Sequence, residues 1–253
     1  MENRVFFATE DEAIKAGYRP CGNCTKEKYR EWKSEKQDSM LTKKANNTYR
    51  IKMQQSLFNM DENILPMRGE AIFYPAFFTP AESDCYFSLL QKEIYWRQEP
   101  IKMFGKEIMQ PRLTAWYGDE DKKYSYSGIT MQPQPWNNAL LEIKAKTEAV
   151  AGVQFTNALL NFYRDGKDSM GWHRDNEKEL GVNPVIGSVS FGATRSFRFR
   201  NYLEKNITKS IDLTHGSFLL MLGETQHHWE HQLPKMNVNT GSRINITFRV
   251  IKG

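Results

Sequence analysis

Cysteine is scarce. The chain has three in 253 residues, two of them in Cys21-Gly22-Asn23-Cys24. Three thiols do not make a disulfide framework, which fits a reducing cytoplasm. Long apolar runs are missing too. No stretch is long enough to span a bilayer and the charged N-terminus does not read as a signal peptide, so no membrane partner is expected. There is no internal repeat and no low-complexity tract. A strong excess of one charge is also lacking where it would matter. Of the formal net charge of +5, residues 1–60 supply most, with 12 basic against 8 acidic side chains, whereas residues 61–253 hold 23 against 22. A nucleic-acid partner must therefore be met by local patches such as Arg195, Arg198 and Arg200, on a strand whose Phe197 and Phe199 point inward.

What is present falls into three parts. Residues 1–33 form a small helical segment: Thr9-Glu10-Asp11-Glu12 is a capping box, Gly17 a helix stop, and Cys21 to Cys24 a knuckle before a second helical stretch. The string RVFFATEDEAIKAGYRPCGNC resembles the second half of the zinc domain of the Ada methyl-phosphotriester repair protein. That domain uses four cysteines and this chain lacks the first pair, so no zinc is expected at Cys21 and Cys24. Residues 34–68, rich in Lys, Gln, Asn and Ser, read as a polar linker. Residues 69–253 are globular. Thr79-Pro80-Ala81-Glu82 opens a helix to about Tyr95, Pro135 starts another that ends near Gly152, and strand follows strand beyond Gln154. Two helices backing a run of strands predict an α+β chain with a double-stranded β-helix, or jelly-roll, core.

The rest is organised around NFYRDGKDSMGWHRD, residues 161–175. Leu159, Asn161 and Tyr163 share one face of a strand, Asp165 to Asp168 turn the chain, and His173 and Asp175 project together from an extended segment. An imidazole and a carboxylate so placed supply two thirds of a 2-His-1-carboxylate site for Fe(II). Near the end, RINITFR sets Arg243, Asn245, Thr247 and Arg249 on one face and Ile244, Ile246 and Phe248 on the other. An arginine there offers an always-charged fork for the far carboxylate of a keto acid chelating the metal. The third ligand is a later histidine: His231, or one of His215, His227 and His228. H-x-D, a distant His and a late-strand Arg together are the grammar of the 2-oxoglutarate oxygenases.

NFYRDGKDSMGWHRDNEKEL, SVSFGATRSFRFR, HGSFLLMLGETQHHWEHQLPK and RINITFR resemble the AlkB family of DNA and RNA dealkylases, its duplex-DNA branch most of all, over roughly residues 70 to 253. The resemblance implies that His173, Asp175 and His231 hold Fe(II). It implies 2-oxoglutarate and O2 as co-substrates, with Asn161, Tyr163, Arg243, Thr247 and Arg249 forming the 2-oxoglutarate pocket. The implied reaction couples decarboxylation of 2-oxoglutarate to hydroxylation of the alkyl carbon on a damaged base, after which the hemiaminal collapses. Tyr126 in YSYSG and the imidazole of His173 match the aromatic walls that sandwich the flipped base, with Tyr124 a further substrate-binding candidate and Asn176 and Glu177 where the family contacts the base. Asn176 stands where the branch has an acidic residue, which leaves base preference open. Met103, Phe104 and Gly105 look like the finger that wedges into duplex DNA. The expected partner is alkylated DNA, duplex ahead of single strand, met by a monomer. The alternatives are the same chemistry on RNA or protein, or a non-enzymatic damage sensor, against which the intact triad and both arginines argue.

Overall fold

The computed structural model describes residues 62–103, 106–120, 124–126, 129–131, 133–236 and 240–252, together with Glu12, Glu27 and Arg30, three exposed helical positions. The chain divides into two units, Met1–Asn59 and Met60–Gly253. The Cys21–Cys24 knuckle, the rest of residues 1–33 and the polar stretch as far as residue 61 otherwise lie outside the described residues.

The second unit begins with β1 (Glu70–Tyr74). Helix α1 (Pro80–Glu93) starts where the sequence predicts, because Thr79 and Glu82 bond reciprocally: the Glu82 amide donates to Thr79 Oγ1 at 3.3 Å and the Thr79 amide to Glu82 Oε2 at 2.8 Å. Two hairpins flank the next strand: β2 (Pro100–Met103) with β3 (Lys106–Met109), then β4 (Leu113–Gly118), then β5 (Tyr124–Tyr126) with β6 (Ile129–Met131). Helix α2 (Asn138–Ala151) starts three residues later than Pro135, since Asn137 is its cap and accepts the Leu140 amide at 2.9 Å. Gly152, at φ 67°, closes it in the left-handed region that glycine enters without a Cβ clash.

Then come β7 (Asn157–Tyr163), β8 (Met170–His173), β9 (Ile186–Gly192), β10 (Arg195–Asn201), β11 (Thr208–Leu213), β12 (Ser217–Leu222), the single turn α3 (Thr225–His228), β13 (Trp229–Leu233) and β14 (Arg243–Arg249). All pair antiparallel, in a six-stranded sheet of order β1-β12-β9-β14-β7-β4 and a four-stranded sheet of order β11-β10-β13-β8. This is the expected double-stranded β-helix within an α+β chain.

Side-chain alternation sorts the strands into two cores. On the outer face of the large sheet Leu160, Val189, Leu220, Ile244, Ile246 and Phe248 pack with Leu90 of α1 and Leu140 and Ile143 of α2. On its inner face Leu159, Tyr163, Leu219 and Met221 meet Phe197, Phe199, Trp229 and Leu233 of the small sheet. The two helices thus plate the outside, and the inside is left for side chains from both sheets.

The polar linker ends before residue 68. Leu65 is 4% exposed within the inner core, and the Trp229 indole donates to the carbonyls of Met67 and Arg68 at 3.1 and 2.6 Å. Composition conceals this, because backbone carbonyls make the bonds.

Candidate metal and co-substrate site

Strand register carries the predicted side chains to one place. On the inner face of the large sheet, Arg243 lies opposite Tyr163, Asn245 opposite Asn161, and Thr247 opposite Leu159. From the small sheet, His231 lies opposite His173, and the pairing slips just after it, between His231 and Leu233. Such irregularities re-aim a side chain. His173, Asp175, His231, Asn161, Tyr163, Arg243, Thr247 and Arg249 all line a single cavity between the sheets, with about 480 Å³ of free space including its open mouth.

His173, Asp175 and His231 each aim one ligand atom into the cavity, all within 4.8 Å of one another. Asp175 Oδ2 lies 4.0 Å from His231 Nε2, and the two imidazole centroids are 4.3 Å apart. His173 Nδ1 is 2.9 Å from the Gly171 carbonyl, so Nδ1 carries the proton and Nε2 keeps its lone pair for a metal. Burial pushes the His231 pKa down to about 3, His173 adding to the effect and Asp175 opposing it. Burial also lowers His173, against Asp175. Burial alone would raise Asp175, but Arg249, then His231 and His173, hold it below the carboxylate range. The donors are therefore two neutral imidazoles and a carboxylate, the states that bind a metal.

Arg249 and Arg243 face the same cavity in different ways. Arg249 Nη2 donates to Asp175 Oδ1 at 2.6 Å, both side chains being 2% exposed. Its charge balances the Asp175 carboxylate. Arg243, 1% exposed, donates through Nη2 to Ser190 Oγ at 2.8 Å, but its Nε and Nη1 have no hydrogen-bond partner among the described residues. Burial pulls its pKa down to about 10 while Tyr163 works the other way. A buried guanidinium with idle donors and no carboxylate is costly unless an anion completes it. The residues present thus fit Fe(II) and the far carboxylate of 2-oxoglutarate.

Several polar partners at this site carry no local signal in the sequence. Arg112 donates Nε to Asn161 Oδ1 at 2.7 Å, and Asn161 Nδ2 donates to Asn245 Oδ1 at 3.2 Å. Asn161 therefore reaches the cavity with its carbonyl already engaged. Asn245 also donates to Ser188 Oγ at 2.9 Å and accepts Thr247 Oγ1 at 3.0 Å. Gln226 of α3 accepts the Asp175 amide at 3.0 Å, tying one ligand loop to the segment that leads to His231. Alternation had placed Asn245 on this face, and Ser188 and Ser190 could have been found in the same way from their strand neighbours. Arg112 and Gln226 could not, lying 49 and 51 residues from their partners.

The other candidates separate out. His215 Nδ1 accepts the Gly192 amide at 2.8 Å, His227 bonds Asn183 at 2.9 Å, and His228 faces Glu224 at 3.4 Å, so none of the three joins the cluster. Asn176 is exposed and Glu177 half-buried, and neither lines the cavity. Met103 ends β2 opposite Lys106 of β3, while Phe104 and Gly105, which join them, lie outside the described residues. Tyr124 and Tyr126 form β5, opposite Met131 and Ile129, and only their backbone is described. Arg195 overturns one expectation. It is not part of a surface patch with Arg198 and Arg200, being 1% exposed with its guanidinium bonded to three backbone carbonyls. It shares the parity of Phe197 and Phe199 and so points inward.

A double-stranded β-helix enclosing a His-Asp-His cluster and a buried arginine defines an oxygenase of the iron and 2-oxo-acid class. Residues 70–249 match the 2OG-Fe(II) oxygenase superfamily, and the chain belongs to it. Within it the chain belongs to the AlkB-like family. It is 41% identical over 190 residues to the alpha-ketoglutarate-dependent dioxygenase alkB homolog 3 of Mus musculus, covering 70% of this chain and 65% of the relative. To the DNA oxidative demethylase ALKBH2 of Homo sapiens it is 39% identical over 188 residues, covering 70% and 72%. The chain thus spans just under two thirds of the mouse relative's length. The solved structure of OsALKBH1 shares the fold, with a TM-score of 0.54 at 17% identity over 72% of this chain and 99% of that one. No described helix is long and apolar enough to cross a membrane.

Proposed function

We propose that this chain dealkylates N-alkylated bases in DNA by oxidation, acting on duplex ahead of single strand, as a monomer in the cytoplasm. The observation that carries the reading is the shared cavity, where neutral imidazoles, a paired carboxylate and a buried guanidinium with idle donors face one another. The human relative's name, DNA oxidative demethylase, supports the substrate class.

In this reading His173, Asp175 and His231 hold Fe(II), and Arg243 takes the far carboxylate of 2-oxoglutarate beside Asn161, Tyr163 and Thr247. The iron and the keto acid, when bound, supply the oxygen chemistry that hydroxylates the alkyl carbon. The chain orients and shields. The Gly171 carbonyl holds His173 in one tautomer. Phe197 stacks against His231 with centroids 5.3 Å apart, and Leu159, Met170 and Leu233 keep water from the cavity wall. Arg249 keeps Asp175 ionised and aimed.

A base cannot react inside the helical stack and must be flipped out. Tyr126, with Tyr124 beside it, and the imidazole of His173 would flank it, with Asn176 and Glu177 at its edge. The resemblance of Met103-Phe104-Gly105 to the duplex-DNA finger supports the preference for duplex, because an aromatic wedge fills the gap a flipped base leaves at a cost of a few kcal/mol per unstacked step.

The test is release of succinate and formaldehyde with methylated duplex, single-stranded and RNA oligomers. Turnover on DNA, highest on duplex, is expected; turnover confined to RNA, or none, defeats the proposal. Phe104→Ala should reduce repair of duplex far more than repair of the same lesion in a single strand, and equal losses would remove the wedge.

A further inference from the structure

Arg195 is a charge in the core with no stated task. It opens β10, is 1% exposed, and has no carboxylate partner among the described residues. Its Nη1 donates to the Asp165 carbonyl at 3.2 Å, and its Nη2 to the carbonyls of Asp168 and Pro234 at 3.0 and 2.7 Å. Neutral acceptors take Nη1 and Nη2, Nε has no hydrogen-bond partner among the described residues, and the charge is left uncancelled. Of the carboxylates that influence it, Asp168 acts most and is already committed to Arg164, which grips both of its oxygens at 2.8 Å. Three segments meet on this one guanidinium: the turn after β7, the start of β10 and the exit of β13.

Across from it stands Tyr163. The Arg195 guanidinium carbon lies 5.8 Å from the Tyr163 ring centroid, and that of Arg243 lies 5.2 Å from the same centroid. One ring therefore touches two buried guanidiniums, neither with a carboxylate partner among the described residues. Cations are drawn to the electron-rich face of an aromatic ring, so the phenol draws both toward it while they repel each other. Only Arg243 reaches the cavity; Arg195 does not line it. Two uncancelled positive charges around one phenol are costly in a core. They are tolerated where an anion is to be received.

We propose that Arg195 is a positioning residue for the 2-oxoglutarate site. It acts through Tyr163 and Arg243 on the far carboxylate of the co-substrate: it holds the Tyr163 ring, and thereby the Arg243 fork, in place, and adds a second positive charge behind them. This rests on the reading of Arg243 as the carboxylate anchor. The metal ligands are set by other contacts, those of Gly171, Gln226 and Arg249, so Arg195 should leave metal binding alone.

The experiment compares two probes on the full chain loaded with Mn(II), followed by tryptophan fluorescence. 2-Oxoglutarate carries the far carboxylate; pyruvate has the same keto-acid end without it. In Arg195→Gln the affinity for 2-oxoglutarate should fall by roughly tenfold, the lower end of what removing a support behind a direct ligand contact costs. Affinities for pyruvate and for Mn(II) should hold. Arg195→Lys keeps the charge but not the fork, should lose less, and carries the test if the glutamine variant does not fold. A parallel fall for both probes would make Arg195 a structural residue only, and no change for either would overturn the proposal outright. If the wild-type protein itself fails to prefer 2-oxoglutarate over pyruvate, the reading of Arg243 fails instead, and the two failures are told apart.

Discussion

The two faces of β14 are equally buried and do opposite things. Ile244, Ile246 and Phe248, each 0% exposed, lock the large sheet to its helices. Arg243, Asn245, Thr247 and Arg249, from 1% to 9% exposed, point between the sheets with the polarity of a surface. An apolar side chain buried on the outer face contributes about 1.5–3 kcal/mol through removal from water. The inner face forgoes that gain and adds the cost of desolvating two guanidiniums. Within it the two arginines differ again: Arg249 has its carboxylate in Asp175, and Arg243 has none among the described residues.

The largest effect expected is at the metal. Asp175→Asn should abolish metal binding and turnover, and should also cost stability, since it leaves Arg249 buried without its counter-charge. Turnover and metal content per folded molecule are the measures, and wild-type succinate production by the variant would dissolve the contrast between the faces.

Phe248→Ala tests the other face. It should cost about 3–5 kcal/mol in denaturant unfolding, as buried Phe truncations do, while the surviving folded protein keeps its metal affinity. Loss of the metal without loss of stability would show that the faces do not divide the labour.

Arg243→Lys sharpens the difference between the two arginines. A charge-assisted pair is worth about 1.5–3 kcal/mol, so the 2-oxoglutarate requirement should rise by roughly 10- to 150-fold, because a point charge does not pair as a fork. An unchanged requirement, read from initial rates against 2-oxoglutarate, would move the anchor to Arg249.

The smallest effect concerns the turn that the inner face leans on. For Asp168 burial works upward, but the Arg164 hydrogen bonds and charge outweigh it and hold the pKa below 3.8. A carboxylate whose folded pKa is depressed contributes stability above its unfolded pKa and loses it as pH falls through the folded value. Wild-type melting temperature should therefore drop below about pH 4 more steeply than that of Asp168→Asn. Parallel curves from pH 5 to pH 3 would mean that the Arg164 pair contributes nothing.

Much of this was legible along the chain. Alternation in RINITFR assigned the two faces of β14, the capping box placed the start of α1, and H-x-D with a later His and Arg predicted which side chains would meet. These are local patterns, and backbone geometry turns a spacing of two residues into a shared face whatever the rest of the molecule does. The structure alone settled what depends on distant partners. Arg195 has the inward parity of Phe197 and Phe199, which alternation gives, but only the structure shows the carbonyls of the Asp165–Asp168 turn and Pro234 that converge to receive its charge. Leu65 belongs to the core, and the exposed residues 67 and 68 are tied to it through their backbone because Trp229, more than 160 residues away, reaches back for their carbonyls. Arg112 enters through Asn161, and Gln226 through the amide of Asp175. A hydrogen bond is a relation between two groups, and when its partner is a backbone atom or lies far along the chain, no stretch of sequence records it.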